Sequence, residues 1–420
     1  MKRDSNTKRS SLTKQFSKEA LTDPILFAIL LAGVMAVWFC LFHRQCVESL
    51  TGSGLYHSDM KAYILEMQGL DSGYSFPYPI LFWLSAFFHL FVTPETATAL
   101  AVTLLNGLAV LAVKVALNGL MREPLAEKTP GYRRLAGIGI SLVSIALFFV
   151  SMVYPPKGMY LPGILYNYLG VFTANPLHNA TYMAARPFAV PAFLWYVKIL
   201  DEYEKGVNLR DYLCFSALLL LATMAKPSFT IVLVGAAGLI MLYRLFRSRF
   251  QNFRQTVLLG MTFLPTFADL LYQFRGVFVP AEGEEGGIGF CLGSIWRLYC
   301  DNIPLAVGLA MGFPILVLLL NFKELKTNTL YRFSWQIWLM SFVMTFFLYE
   351  KGFRDKDFNF SWSYMYGIFF AFFGALTVLM RATIEGKRKW LITLQWLAFL
   401  WHLSCGLYYF YGICQGKMYY

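Results

Sequence analysis

Long apolar runs separated by short polar connectors set the pattern of this chain. A polar tail, 1–22, carries Lys2, Arg3, Lys8, Arg9, Lys14 and Lys18. The first apolar run, 24–42, is not followed by a small-residue cleavage pattern, so it reads as an uncleaved anchor. Further runs long enough to cross a hydrocarbon core of about 30 Å fall at 96–120, 135–153, 183–200, 212–225, 229–245, 255–272, 302–320, 333–349, 363–380 and 390–412. The pattern predicts an all-α polytopic membrane protein of about eleven transmembrane helices.

The run 77–92 is the exception. It begins Pro77-Tyr78-Pro79, contains His89 and is only 16 residues long, the short limit for a span. If it crossed, the loop 121–134 with Arg122, Lys128, Arg133 and Arg134 would lie outside. Basic residues collect on the cytoplasmic side, so 77–92 is expected to be a re-entrant or interfacial helix. The amino end is then inside and the carboxyl end outside. Of the 36 Lys and Arg, 23 fall on the inner side and 11 on the outer; Lys114 and Lys198, near inner span ends, are expected to snorkel.

Composition agrees. The chain is 57% hydrophobic and 14% charged, with a mean hydropathy of +0.52, which leaves too little polar surface for a soluble core. A secreted disulfide scaffold, a disordered chain and a cytosolic enzyme are excluded. The net charge of +12 reflects topology rather than nucleic-acid binding. Cys40, Cys214 and Cys405 sit in apolar runs as small hydrophobes. Cys291 and Cys300 share one outer loop and can pair there. No Cys/His spacing suits a metal, and none is expected.

Polar material gathers outside, at 43–95, 154–186, 273–301 and 350–362, while span centres hold almost no charge and no inverted repeat is visible. A transporter would place charge at the midplane; this chain points to chemistry at the outer surface. In Tyr56-His57-Ser58-Asp59-Met60-Lys61-Ala62-Tyr63 the apolar positions Met60, Tyr63, Ile64 and Met67 recur at helical spacing. Asp59 then starts a surface helix, where it is either a cap or a working carboxylate. Asp71 lies twelve positions on.

An uncleaved first span, an outer loop with an early Asp59 and a short Pro77-Tyr78-Pro79 helix resemble the GT-C superfamily of membrane glycosyltransferases, which use polyprenyl- or dolichyl-phosphate sugars. Two further pieces match in order: Arg186-Pro187-Phe188-Ala189, and Leu221-Ala222-Thr223-Met224-Ala225-Lys226-Pro227-Ser228, a small-residue span ending in Lys-Pro. The resemblance covers roughly residues 20–250, and the first loop lacks the family's adjacent acidic pair. It implies a basic tail 1–22, a GT-C-like module 23–250 with its first outer loop at 43–95, and a variable carboxyl-terminal module 251–420. It also implies Asp59 as the catalytic base.

Transfer from a lipid phosphate needs a base for the acceptor hydroxyl and cations for the leaving phosphate. Lys226, Arg186 and Arg354 are the outer-face candidates. Asp71, His57 and Tyr63 from the first loop, and Asn359 and Trp362 from the aromatic and charged stretch 350–362, are candidate sugar contacts. His57 is equally a plain loop residue. The polar stretch 175–181 reads as a connecting loop, with the lining of a sugar pocket as the alternative, and 281–287 as an exposed acidic loop, with a lid over the site as the alternative. Asn179-Ala180-Thr181 and Asn359-Phe360-Ser361 fit the glycosylation pattern, which matters only for a lumenal protein.

The expected activity is transfer of a sugar from a polyprenyl-phosphate carrier to a cell-envelope glycan, lipid or protein, at the extracytoplasmic face of a plasma membrane, with no cofactor. A polymerase of lipid-linked repeat units, or a lipid-linked-sugar flippase, are the alternatives.

Overall fold

The computed structural model describes residues 22–153, 170–277, 286–352 and 354–417. The basic tail, Lys157 and the acids Glu282, Glu284 and Glu285 lie outside the described residues.

The chain is mostly helical. Helix α1, Thr22–Thr51, outruns its apolar segment because nothing breaks it before Gly52 and Gly54, both at positive φ. Two short helices follow, α2 (Met60–Met67) and α3 (Ile80–His89). At ten residues α3 is too short to cross a bilayer, as its run suggested. Helix α4, Pro94–Leu125, starts where Thr93 accepts from the Thr96 amide and Pro94 takes the first turn. Thr129 and Pro130 open α5, Pro130–Ala146, in the same way. Then come α6 (Ala180–Glu202), α7 (Leu209–Ala225), α8 (Ser228–Arg247), α9 (Phe253–Met261) and α10 (Leu264–Val277). After β1 (Gly287–Phe290) and α11 (Ser294–Arg297) follow α12 (Ile303–Leu320), α13 (Glu324–Thr327), α14 (Thr329–Phe347), β2 (Leu348–Lys351), α15 (Ser361–Glu385) and α16 (Lys389–Cys414).

Among the described residues six helices are long and apolar enough to cross a membrane: α1, α4, α8, α12, α15 and α16. Counting the α9–α10 pair as one crossing makes seven. The uniform set of eleven spans is therefore not what length and apolarity alone return. Helices α5 and α7 have 17 residues each. Helix α6 is longer, but its apolarity is diluted by Arg186, Lys198, Asp201 and Glu202. The run 255–272 is not one helix: α9 and α10 meet at a 46° bend, where Pro265 has no N–H to continue the ladder. Nor is the protein wholly α. Strands β1 and β2 pair antiparallel, with Gly287 opposite Lys351 and Phe290 opposite Leu348.

Helix α15 is the central one and packs most closely on α14. A Cβ at Gly367 would lie 2.0 Å from Ser341 Oγ, and one at Gly374 2.2 Å from Ser334 Oγ. Glycine seven residues apart thus lets the two backbones approach, the usual solution between helices in lipid. Two lysines pair across helices. Lys114 binds Asp23 at 2.7 Å, and Ser141 donates to the other Asp23 oxygen at 2.6 Å. Lys198 binds Asp211 at 2.7 Å. Both were expected to snorkel; Lys114 is instead buried against a carboxylate, whereas Lys198 stays exposed and pairs as well. Cys291 and Cys300 are not joined, and their sulfurs face the carbonyls of Phe346 and Asn302.

The run 135–153 also departs from expectation, since α5 ends at Ala146. The residues beyond are unwound and satisfied from elsewhere: Asn175 Nδ2 donates to Leu147 O at 2.9 Å and Val150 O at 3.0 Å, and the His402 ring nitrogen meets Ser151 O at 2.7 Å. They receive a connector, 170–179, that is buried throughout. A buried loop needs partners for its polar groups, and they are present. Trp296 donates to Gly170 O, Tyr182 to Ala174 O, Gln45 to Leu177 O and the Asp59 amide to His178 O. Nearby, Tyr56 joins the far end of the chain, its amide donating to Gly416 O at 3.2 Å and its hydroxyl to Cys414 O at 3.1 Å.

Asn175→Val removes the donor to two buried carbonyls and the acceptor for Arg186 together. Each orphaned buried group costs about 1–3 kcal/mol. The variant should lose at least about 2 kcal/mol of stability, read as a lowered unfolding midpoint in detergent; an unchanged midpoint contradicts this account of the connector.

Candidate functional site

Asp59 stands at the N-cap position of α2, yet its side chain makes no capping hydrogen bond. Its carboxylate turns the other way. Oδ2 accepts from Asn179 Nδ2 at 2.7 Å and, at a longer 3.4 Å, from the Tyr63 hydroxyl. Asn179 is itself the N-cap of α6: its Oδ1 accepts from the Tyr182 amide at 2.9 Å and from the Thr181 hydroxyl at 3.0 Å. Those donors settle which end of the amide is oxygen, so the NH₂ must face the carboxylate.

The same Asn179 Oδ1 accepts from Lys226 Nζ at 3.3 Å, and Thr181 Oγ1 accepts from it at 2.9 Å. Lys226 is delivered here because α7 stops at Ala225 and the lysine takes an extended backbone, φ −169° and ψ 127°, before Pro227 starts the next helix. Its ammonium lies 4.8 Å from the Trp362 ring centre and 5.7 Å from that of Tyr78. Burial pushes the Lys226 ammonium down to about 7, a fall that the nearby Asp59 charge opposes.

A second wall comes from the β2–α15 connection. Glu350 Oε2 accepts from Asn359 Nδ2 at 2.6 Å. Arg354 Nε lies 3.8 Å from Glu350 and 2.8 Å from Asp357, with its guanidinium over the Tyr74 ring at 5.6 Å. Burial raises the Glu350 carboxyl, and the Arg354 charge pulls it back. Burial lowers His178 to about 4, so this ring is neutral. Tyr63 is pushed well above its ordinary value, by burial first and then by Asp59.

Seven of the nine sequence candidates thus gather at one end of the bundle: Asp59, Tyr63, Lys226, Arg354, Asn359 and Trp362, with His57 exposed beside His178. The other two do not join them. Asp71 accepts from the Gly73 amide at 2.8 Å and only shapes its own turn. Arg186 is fully buried; its guanidinium donates to Asn175 at 2.5 Å and Asn106 at 2.6 Å and lies against the rings of Phe148, Tyr182 and Phe369. The run 183–200 put this arginine at an outer helix start, but α6 begins at Ala180, which carries it inward.

Four residues were not singled out: Asn179, Thr181, Tyr78 and Glu350. The signal for the first two was an Asn-x-Thr directly before a helix, whose asparagine is placed to cap. Being buried and bonded at both ends of its amide, Asn179 is no glycosylation acceptor in this fold. No group of three or more His, Cys, Asp or Glu suited to a metal occurs among the described residues.

Comparison with known proteins gives no family model, curated protein or solved structure that matches the chain.

Because Asn179 touches both Asp59 and Lys226, it should carry their coupling. A double-mutant cycle of Asp59→Ala and Lys226→Met, read by thermal unfolding, should show an interaction of about 1 kcal/mol. In an Asn179→Ala background the interaction should drop toward zero; persistence at full size would show that the two charges interact without the bridge.

Proposed function

We propose that the protein is a membrane glycosyltransferase that takes a sugar from a polyprenyl-phosphate carrier and transfers it to an acceptor hydroxyl at the extracytoplasmic surface. The observation that carries the reading is Asp59: it stands at a helix start without capping it, and is held beside Lys226 instead. Only one of its oxygens has a protein donor; Oδ1 has none among the described residues. A carboxylate fixed on one oxygen and open on the other suits a general base.

In this scheme Asp59 Oδ1 removes the acceptor hydroxyl proton as that oxygen attacks the anomeric carbon. The bond from that carbon to the phosphate oxygen breaks, and the lipid phosphate leaves with its electron pair. Lys226 meets the developing negative charge, and the attack inverts the anomeric centre. Arg354 is a weaker phosphate ligand, since Asp357 already holds its Nε.

We also read eleven crossings, adding α5, α6, α7, α9–α10 and α14 to the six helices above. Support comes from contacts that sort helix ends into two sets. Asp23 with Lys114, Asp201 with Thr329, Glu123 with Arg381 and Asn321 with Gln395 lie at the end opposite the site. Tyr56 with Gly416, and Asp59 with Asn179, lie at the site end. The Lys and Arg excess at the first set makes that side cytoplasmic.

Asp59→Asn keeps the shape and the contact to Asn179 but cannot accept the proton. Transfer from a polyprenyl-phosphate sugar should fall on the order of a hundredfold or more with donor binding retained; full activity would leave Asp59 a structural residue.

The lowered Lys226 sets a pH dependence. Below about 7 the ammonium is charged and can hold a phosphodiester, whereas above 7 the proton must be taken up on binding. Donor affinity should therefore be about tenfold weaker at pH 8 than at pH 6. Lys226→Arg, charged throughout, should flatten the curve. A flat wild-type profile would place the phosphate away from Lys226.

A further inference from the structure

Two carboxylates flank Lys226, one from each wall, and the proposed reaction uses only Asp59. The other is Glu350, at the end of β2 and half-buried. The two are held alike. Asn179 donates to one oxygen of Asp59 at 2.7 Å, and Asn359 donates to one oxygen of Glu350 at 2.6 Å. In each case the second oxygen has no hydrogen-bond donor among the described residues.

Among the described residues no cation lies in direct hydrogen-bond contact with Glu350. Arg354, its nearest cation, stands 3.8 Å off and is drawn to Asp357 at 2.8 Å. Lys226 donates to Asn179 and Thr181 on the opposite wall. Holding a half-buried carboxylate without a full partner costs stability, so a structural role accounts poorly for it. An anionic phosphate placed next to Glu350 would be repelled, which leaves the uncharged part of a ligand as its neighbour.

We propose that Glu350 sets sugar specificity: its open oxygen accepts hydrogen bonds from the hydroxyls of a neutral donor sugar and excludes uronic-acid sugars by like-charge repulsion. This deepens the glycosyltransferase reading and rests on it. Carboxylates recur where hydroxyls must be read, because they accept at several lone pairs. A fixed negative charge also discriminates against an anionic analogue without further contacts.

The test is binding to purified full-length protein in detergent, with citronellyl phosphate and its glucosyl, galactosyl and mannosyl esters, each paired with the corresponding uronate. For the tightest neutral sugar, wild type should prefer it over its uronate at least about tenfold, a difference of about 1.4 kcal/mol. Glu350→Gln, isosteric and still able to accept from Asn359, should bring that ratio within about twofold while Lys226-dependent binding of bare citronellyl phosphate persists. Glu350→Ala should lose the discrimination too, which covers a failure of the Gln variant to fold. Equal wild-type affinity for neutral and uronic partners, or a ratio kept in both variants, overturns the proposal. Absence of any Lys226-dependent binding of bare citronellyl phosphate defeats the lipid-phosphate reading itself, a result distinct from lost discrimination.

Discussion

One carboxamide holds the site together. Asn179 caps α6 with its oxygen, presents its NH₂ to Asp59 and accepts from Lys226. Each of the three groups belongs to a different part of the chain: the first polar loop, the buried connector and the α7–α8 junction. A negative and a positive charge that met directly would neutralise one another. With an amide between them the two groups share one partner without forming an ion pair. The bond to the Tyr182 amide prevents the carboxamide from flipping, so polarity at the site follows from where a helix begins.

The amide is held in place by its surroundings. The connector 170–179 is buried, and its backbone is satisfied by side chains from α1, α6 and α11. Arg186 reaches the same connector through Asn175. Its guanidinium has no carboxylate among its hydrogen-bond partners and is held by two carboxamide oxygens and three aromatic faces. Such faces stabilise a cation strongly once water is excluded. The buried guanidinium is thus held by carboxamide oxygens and aromatic faces rather than by a counter-ion.

Much of this was legible in the sequence, for physical reasons. Apolar periodicity reports burial and length, so the long helices and the short α3 stand out. The early acid of the first polar loop and the Lys-Pro turn are local features, and the fold brings Asp59 and Lys226 to one site. Asn179 was hidden, because a polar residue in a connector looks the same whether it is solvated or is the hub of a buried network. Arg186 was misplaced by a helix boundary: starting α6 three residues early carries the guanidinium inward and turns a surface cation into a core one. Asp71 failed differently, since an Asp two residues before a Gly has its own turn to stabilise. Glu350 lay within the charged and aromatic stretch 350–362, but nothing set it apart from the other charged residues there.

The bonds from Tyr56 to Cys414 and Gly416 bear on how such a protein is made. A ribosome releases residue 56 into the membrane long before it reaches residue 416. Throughout that interval the segment bearing Asp59 lacks Gly416 to rest on, and for nearly all of it His402 has not arrived to hold Ser151. Assembly of this surface therefore waits for α16, so the helices of the first half alone leave the Asp59 segment without part of its support.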